Sequence, residues 1–548
     1  GTPQGAPGGA GTTGGAGFAG STAGTIGTAG ATGGPLDSGR IAIHRLNNLE
    51  YDNTIRDLVG VTGNIAQTTF QPDEKGEFDN TADAFTINDA RYEQYFNTAD
   101  TIGEMIFASA PLKMKILTCT PSTTDMTCTR TIVNNFGGRA WRRPLLTAES
   151  DRLVALAGEA VTIGENAEGS IKHVVKSILA SPQFLYRIEF DSNPASLTAH
   201  SLTAYELASR LSYLGWSSMP DDTLFGLASS GQIVNDTVIA AQIDRMLADP
   251  KGSAFTESFA GQWLGARDLK GHQVEPTAFP KFDEPLRQAM IAEELAYFNE
   301  FLTGTLPMTA FFTTDENFVN ARLAMHYGVA APTGTGMTKI TNTADTRVGF
   351  LGLASFQTFT SFSYRTAPTL RGKWVLLNLL CQTIPNPPAN VPKLDTGTAA
   401  DPALQSQNVR VRLAAHRTMA TCAACHATLD PIGLGLENFD AIGAYRQKYG
   451  VNGTGDVIDS SGVLPSGETF STVAQLATIL SSGTKVTQLT NCASEKMMTY
   501  ALSRSLNDSD TPYLSQIRAK WATENYGLKA LLKDIVLNDT FKFRRGEM

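Results

Sequence analysis

Along most of the chain, apolar residues recur every three or four positions, and short turn-rich stretches separate the periodic segments. This spacing places the apolar side chains on one face of a helix, as in helices that pack on a hydrophobic core. One face of the first segment carries Leu46, Leu49, Ile55, Leu58 and Val59, with Gly60 as the C-cap. Thr203-Ala-Tyr-Glu206 matches a capping box that opens another helix. The pattern predicts a mainly α, multi-domain protein.

One predicted helix carries carboxylates that could act in catalysis. The segment 290–301 contains Glu293, Glu294 and Glu300. Paired carboxylates can serve as general acid and general base, but on an amphipathic helix they more often form a solvated face. The pattern favours the solvated face.

Cys422-Ala-Ala-Cys425-His426 is the attachment signature of a c-type haem. In this motif the two thiols bond to the porphyrin, and the adjacent imidazole becomes the proximal ligand of the iron. With 6 Cys and 7 His in 548 residues, chance produces the motif in fewer than about one in a thousand such chains. The sequence therefore predicts one covalent haem c at Cys422, Cys425 and His426.

Two other chemistries use closely spaced cysteines and are the alternatives to haem. A structural zinc site needs four ligands, and the chain contains no second C-x-x-C and no C-x-x-H. A thioredoxin-type dithiol follows a strand in a βαβ unit, and no such pattern surrounds residue 420. Haem attachment is the favoured interpretation.

Charge and composition narrow the class of partner. The net charge of −9 argues against nucleic acid and anionic membrane surfaces. No apolar run reaches the roughly 18 residues that a membrane-spanning helix needs. Residues 1–37 are almost entirely Gly, Ala, Thr, Ser and Pro, so they are predicted to form a flexible tether. We therefore expect attachment to a membrane only if a lipid anchor precedes this tether.

Four cysteines remain once the haem motif is assigned, and four cysteines allow three pairings. Cys119 and Cys128 flank a short polar loop, which favours a local disulfide between them. Cys381 and Cys492 would then pair and close a long loop. Four buried free thiols are the alternative. Disulfides and covalent haem both indicate an exported protein, placed in the periplasm, at the cell surface or outside the cell.

The ligand on the second face of the iron decides the function class. A Met or His there favours electron transfer, whereas an open position allows oxygen or peroxide chemistry. The distal candidates are Met497 or Met498, with His416 and His326 as weaker candidates. His326 lies near the end of a helix predicted over 318–328, so it could instead be a cation that interacts with the helix dipole. His416 suits a hydrogen bond to a haem propionate better than ligation.

An ordered series of motifs connects the chain to a known family. The motifs lie at 45–59, 140–145, 181–186, 202–212, 416–446 and 500–504, and they read RLNNLEYDNTIRDLV, AWRRPL, SPQFLY, LTAYELASRLS, the haem segment and YALSR. Their order resembles a secreted bacterial family of monohaem c-type cytochromes, of planctomycete and myxobacterial type, built from consecutive domains of unknown function. The resemblance covers about residues 40–548. It implies one haem near the C-terminus, and the positions of Cys381 and Cys492 match its pattern.

These observations predict six regions. They are the tether at 1–37, an N-terminal helical domain at 38–112, a helical domain with the local disulfide at 113–192, a central helical domain at 193–332, a haem-bearing cytochrome c-like domain at 333–448 and a C-terminal helical domain at 449–548 that packs on the haem region.

The predicted function is electron transfer to or from a redox partner protein or a small-molecule donor or acceptor. A haem-dependent oxidase or peroxidase is the alternative, because a long helical region precedes the haem domain. No distal His–Arg pair has a recognisable spacing, and Arg365 and Arg371 are candidates by sequence position alone. A third interpretation is a binding scaffold with a redox module, marked by an exposed aromatic strip from Trp216, Trp263 and Tyr186.

Overall fold

In the computed structural model, the residues described are 43–191, 193–196, 198–343, 346–385, 408–416, 420–450 and 453–545, with backbone alone at 415, 416 and 420–422. The tether predicted at 1–37 lies outside these residues. The described residues belong to one compact unit, Asp37–Met548.

Helices dominate the N-terminal part of this unit. They are Asn48–Val59, Ile65–Thr69, Asp89–Ala108, Ala110–Ile116, Thr127–Ala140, Thr147–Thr162, Ala167–Leu179 and Pro182–Leu185. The first begins at a capping box in which Asn47 and Glu50 each accept a backbone N–H of the other. It ends at Gly60, whose φ of 84° lies in the left-handed region. The predicted C-cap is confirmed.

The central part continues the helical pattern. Its helices are Ala204–Trp216, Asp222–Ser229, Asp236–Ala248, Ser253–Phe255, Gly261–Trp263, Ala266–Gly271, Glu284–Thr303 and Ala321–Tyr327, with a π turn at Thr256–Ala260. Thr203 caps the first of them through the predicted capping box with Glu206. The prediction of one helix over 318–328 is wrong at its start, because Glu316–Val319 is a strand and Asn320 begins the helix as its N-cap.

The C-terminal part contains the helix Ala420–Leu434, here called the motif helix because it carries the C-x-x-C-H motif, and a final group of helices. The helices are Ala354–Phe359, Pro368–Trp374, Val409–His416, Ala420–Leu434, Val473–Leu480, Gly483–Leu502, Thr511–Thr523, Leu528–Leu537 and Asp539–Lys542, with a π turn at Val375–Leu379. Short 3₁₀ turns occupy Ala82–Ala84, Gln232–Val234, Pro250–Gly252, Met308–Ala310, Phe350–Gly352 and Asp508–Asp510.

Strands are short and serve to fasten distant parts of the chain. The antiparallel pairs are His44–Arg45 with Tyr186–Arg187, His200–Ser201 with Phe543–Arg544, Glu316–Val319 with Thr338–Thr341, and Gly462–Val463 with Thr469–Phe470. The second pair joins the beginning of the central part to the C-terminal end of the described chain. The mainly helical, multi-domain prediction is confirmed.

Within the described residues, the hydrophobic side chains form one large core and three smaller clusters. The large core collects residues from the central part, from 350–380, from the motif helix and from the C-terminal helices. A second core belongs to the N-terminal helices and also includes Tyr213. Trp216 and Trp263 are 0% and 4% exposed, so the aromatic strip proposed for a binding scaffold is absent at both positions. Every helix among the described residues is too short or too polar to cross a bilayer.

Both disulfide bonds predicted from the sequence are present. Cys119 is bonded to Cys128 across a separation of 9 residues, and Cys381 is bonded to Cys492 across 111 residues. The second bond joins the segment after the π turn at Val375–Leu379 to the helix Gly483–Leu502. This bond therefore links the part of the chain before the C-x-x-C-H motif to the part after it.

The long disulfide should stabilise the fold more than the local one. Closing a loop of that length restricts the unfolded chain by about 5 kcal/mol, against about 2.5 kcal/mol for the short loop. We expect Cys381→Ser/Cys492→Ser to lower the free energy of unfolding in urea by about 2 kcal/mol more than Cys119→Ser/Cys128→Ser does. Equal losses for the two double variants would contradict this ranking.

Candidate functional site

The C-x-x-C-H motif lies inside a continuous helix, Ala420–Leu434. Residues three and four apart share one face of a helix, so the backbone places positions 422, 425 and 426 on the same face. Cys425 is half-buried and is not in a disulfide, and the His426 side chain is 15% exposed. The side chain of Cys422 lies outside the described residues. The motif helix therefore presents one thiol and one imidazole side by side, both reachable from solvent.

A buried carboxylate orients the imidazole of His426. Nδ1 of His426 lies 3.0 Å from both carboxylate oxygens of Asp430, whose side chain is 0% exposed. The hydroxyl of Thr369 donates to the same carboxylate at 2.8 Å. A carboxylate accepts, so Nδ1 carries the hydrogen and Nε2 is the nitrogen suited to an iron. Ligating imidazoles are commonly held in this way by a second residue.

Two helices meet at the motif with their backbones in contact. A Cβ on Gly433 would lie 1.7 Å from the carbonyl oxygen of Pro368, and a Cβ on Gly372 would lie 1.9 Å from that of Leu429. Both distances are far below any real contact, so only glycine fits at either position. This close approach brings Thr369 within reach of Asp430 and thus fixes the support of His426.

Arg371 fastens the loop that follows the motif helix. The Arg371 side chain is 0% exposed, and its guanidinium donates to the carbonyl oxygens of Leu436 and Phe439 at 2.9 Å and of Asp440 at 2.7 Å. The buried carboxylate of Glu437 lies 3.7 Å away. Burial lowers the pKa of Arg371 to about 10, against the opposing effect of Glu437. Arg371 therefore holds the backbone of the loop that follows the motif helix.

The distal candidates lie in different surroundings. Met497 and Met498 are both 0% exposed in the large core, against which Cys425 also packs. The choice between them as a distal ligand stays a prediction. His416 ends the helix Val409–His416, and its side chain lies outside the described residues.

His326 contacts the loop behind the motif helix. Its Nε2 lies 2.8 Å from the carbonyl oxygen of Ile442, so this nitrogen donates a hydrogen bond. Burial lowers the pKa of His326 to about 4, and Asp440 opposes the shift. The lowered pKa leaves the ring neutral near pH 7, which disfavours the interpretation of His326 as a cation at a helix end.

The residues present fit a covalent haem. Cys425, outside any disulfide, adjoins the imidazole of His426, whose Nδ1 is already held. C-type attachment uses this pair together with a second thiol, that of Cys422, whose side chain lies outside the described residues. Within the described part of the chain, no group of three or more His, Cys, Asp or Glu side chains could hold a metal ion by itself. The sequence analysis did not identify Asp430 as a partner of His426, although residues four apart on a helix lie on the same face.

The carboxylate pair on Glu284–Thr303 is buried, which corrects the predicted solvated face. Glu293 and Glu294 are 0% and 1% exposed. The Tyr327 hydroxyl donates to Glu293 at 2.6 Å, and the Asn317 amide donates at 2.8 Å. Burial raises the pKa of Glu293 to about 7, and it raises the pKa of Glu294 well above its usual range. Helical periodicity did not reveal this, because the partners of Glu293, Asn317 and Tyr327, come from other elements.

Comparison with protein families matches nearly the whole described chain. Five consecutive families match, each described as a protein of unknown function: DUF1587 at 44–108, DUF1595 at 128–189, DUF1592 at 202–329, DUF1588 (PSCyt3) at 347–449 and DUF1585 at 466–541. The DUF1588 segment contains the C-x-x-C-H motif. No curated protein and no solved structure matches the chain.

The glycine contact at the motif predicts a local loss of stability. In Gly433→Ala the new methyl group meets the Pro368 carbonyl, so the two helices must separate at a cost of about 1–3 kcal/mol. Gly158→Ala is the control, because no atom lies within 4 Å of its Cβ position on a helix. Gly158→Ala should gain up to about 1 kcal/mol. Unfolding in urea distinguishes the two, and unchanged stability in Gly433→Ala would refute the contact.

The raised pKa of Glu293 predicts a pH dependence of stability. A carboxyl with a pKa of about 7 when folded and about 4.5 when unfolded adds stability below pH 4.5 that is lost as the pH rises through 7. As the pH rises from 5 to 8, the free energy of unfolding of the wild type should therefore fall by about 3 kcal/mol relative to that of Glu293→Gln. Asn299→Gln, an exposed position of the same helix, is the control. Parallel pH profiles for the wild type and Glu293→Gln would contradict the shift.

Proposed function

We propose that this chain, a series of five consecutive domains of unknown function between residues 44 and 541, is an exported c-type cytochrome. One haem would be attached through Cys422 and Cys425, with His426 as the proximal ligand, and would transfer electrons. The observation that carries the proposal is the C-x-x-C-H motif on a helix whose histidine is oriented by a buried carboxylate.

The use of the cysteines supports the assignment. Four of the 6 cysteines are joined in the two disulfides, and Cys425 is outside both. The motif therefore holds the cysteines that the disulfides leave over. Disulfides are compatible with an oxidising compartment, where covalent haem attachment also takes place.

Asp430 and Thr369 give His426 a defined role. By accepting the Nδ1 hydrogen, Asp430 fixes the ring orientation and raises the basicity of Nε2. Thr369 holds the carboxylate in place from the neighbouring helix. When bound, a haem supplies one-electron redox chemistry, with a potential set by its ligands and burial. A more basic proximal imidazole favours the ferric state and so lowers that potential.

The other two interpretations have less support. The binding scaffold lacks its expected mark, since Trp216 and Trp263 are buried. The haem-dependent oxidase needs a cationic or imidazole group beside the distal position, and both Nη atoms of Arg371 already donate to backbone carbonyls. Electron transfer is therefore the function that we propose.

Absorption spectra of protein produced with c-haem maturation test the attachment. The wild type should give the pyridine haemochrome spectrum of haem c, and Cys422→Ala/Cys425→Ala should give none. Cys119→Ser/Cys128→Ser is the matched control, because it removes two thiols elsewhere and should keep the haem. A wild-type protein without covalent haem, made alongside a cytochrome that does mature, would refute the proposal.

The reduced protein under carbon monoxide then separates the two redox classes. A low-spin spectrum that carbon monoxide leaves unchanged means a second protein ligand and supports electron transfer. A shift under carbon monoxide means an open or displaceable position and would replace electron transfer by the oxidase or peroxidase class.

A further inference from the structure

A cavity of about 540 Å³ lies away from the haem motif, among the N-terminal, central and C-terminal helices. The cavity is lined by residues 44 and 80 and by residues within 141–146, 183–190, 203–214, 501–504 and 540–543. These stretches belong to four of the matched families, and none of the lining residues falls in the 347–449 segment. The volume is within the usual range of small-molecule sites, about 300–1,000 Å³.

Two arginines form the inner wall around one tyrosine ring. The guanidinium carbons of Arg142 and Arg187 lie 5.7 and 5.1 Å from the centre of the Tyr213 ring. Arg142 is held by backbone, since it donates to the carbonyl oxygens of Gln183 and Phe184 at 2.9 and 3.1 Å. Its backbone φ of 61° is left-handed and unusual for a residue with a side chain. The wall is thus built around Arg142 and is not an incidental gap.

Arg187 keeps unused hydrogen-bond donors at this wall. Within the described chain, its one hydrogen bond joins Nη2 to the Ser503 hydroxyl at 3.1 Å, and its buried Nε has no partner. Arg187 also forms no ion pair with a described carboxylate. Burial lowers the pKa of Arg187, so its charge is held at a cost that a bound anion would relieve.

The nearest carboxylate belongs to a separate pair. Glu50 lies 3.0 Å from Nε2 of His44, and both side chains are buried. Burial lowers the pKa of His44 to about 4, and Arg187 lowers it further, so the ring is neutral near pH 7. The inner wall therefore sets two cations, Arg142 and Arg187, against Glu50, while Glu189, which also acts on Arg187, is paired with Arg210. An excess positive charge is notable in a protein whose net charge is −9.

The remaining arginines of the cavity are already neutralised. Arg143 pairs with Glu149, Arg210 with Glu189 and Arg504 with Asp510, each through two hydrogen bonds of 2.6–2.8 Å. Bidentate pairs of this kind satisfy a guanidinium and a carboxylate together. The charge without a partner is therefore localised at the inner wall.

The mouth of the cavity is apolar and exposed. Leu146 and Phe190 are 65% and 52% exposed there, and the indole of Trp141 and the ring of Tyr205 also line the cavity. Exposed large apolar side chains beside a cavity mark a surface that an apolar ligand can cover. The site thus combines one unsatisfied guanidinium inside with aromatic surface towards solvent.

We propose that this cavity binds a small monocarboxylate with an aromatic or similarly sized apolar body, its carboxylate on the Arg187 guanidinium and its body against Trp141 and Phe190. A planar carboxylate matches the paired donors of a guanidinium. The site is independent of the haem attachment, since it draws no wall from the haem-bearing segment.

Calorimetric titration with 2-naphthoate and its uncharged analogue 2-naphthamide tests the proposal. Loss of a charge-assisted hydrogen bond changes affinity by about tenfold or more, so the wild type should prefer naphthoate by at least that factor. Arg187→Gln should reduce this preference to about threefold or less, and Arg187→Lys should retain part of it. Arg130→Gln is the matched control, because Arg130 lies outside the cavity lining and is paired with Asp151 at 2.6 Å, and it should retain the preference.

Each result decides the proposal. Equal binding of naphthoate and naphthamide by the wild type, or no binding of either, would overturn it. Naphthoate preference that survives in Arg187→Gln, or that is lost in Arg130→Gln to the same extent, would also overturn it. If Arg187→Gln does not fold, the wild-type comparison of the two probes and the Arg187→Lys variant still decide the outcome.

Discussion

The arrangement around the motif helix depends on the buried guanidinium of Arg371. It gathers the carbonyl oxygens of 436–440 on one side and that of Gln357 on the other, with Glu437 as its counter-charge. Removing this buried cation leaves several carbonyl oxygens without their donor, although Glu437 keeps the Thr366 hydroxyl and Arg446 as partners. Unpaired buried polar groups of this kind are costly in a protein interior. The loop after the motif helix, the helix Pro368–Trp374 and the helix Ala354–Phe359 therefore keep their relative positions through this one side chain.

That constraint reaches the histidine through two short steps. Pro368–Trp374 can lie against the motif helix because glycine occupies both contact positions, Gly372 and Gly433. The same helix carries Thr369, which donates to Asp430, and Asp430 holds His426. The carboxylate cavity lies elsewhere and is built on a different arginine pair. Under the two proposals, the C-x-x-C-H segment would carry the redox chemistry and the cavity would bind a small molecule, which would account for a chain much larger than a small electron carrier.

Local signals in the sequence predicted a good part of this structure. Helix ends at Gly60 and Gly328, the capping box at Thr203 and the local disulfide Cys119–Cys128 follow from short-range chemistry, and all are present. The long disulfide Cys381–Cys492, predicted as the pair that remains, is also present. Burial of Glu293 could not be predicted, because it depends on Asn317 and Tyr327 from elements that periodicity does not connect. The cluster of Arg142, Arg187 and Tyr213 could not be predicted either, because these residues come from three separate regions of the chain. The role of Asp430 was within reach, since it needs only the spacing of a helix.

The most direct test of the account is the intact mass of the protein made with c-haem maturation, followed by the mass of its tryptic fragment 418–446, which contains Cys422, Cys425 and His426. The intact chain should be heavier than the polypeptide by the mass of one haem under denaturing conditions, and this fragment alone should carry the added haem. An intact mass equal to the polypeptide, or a haem carried on another fragment, would contradict it.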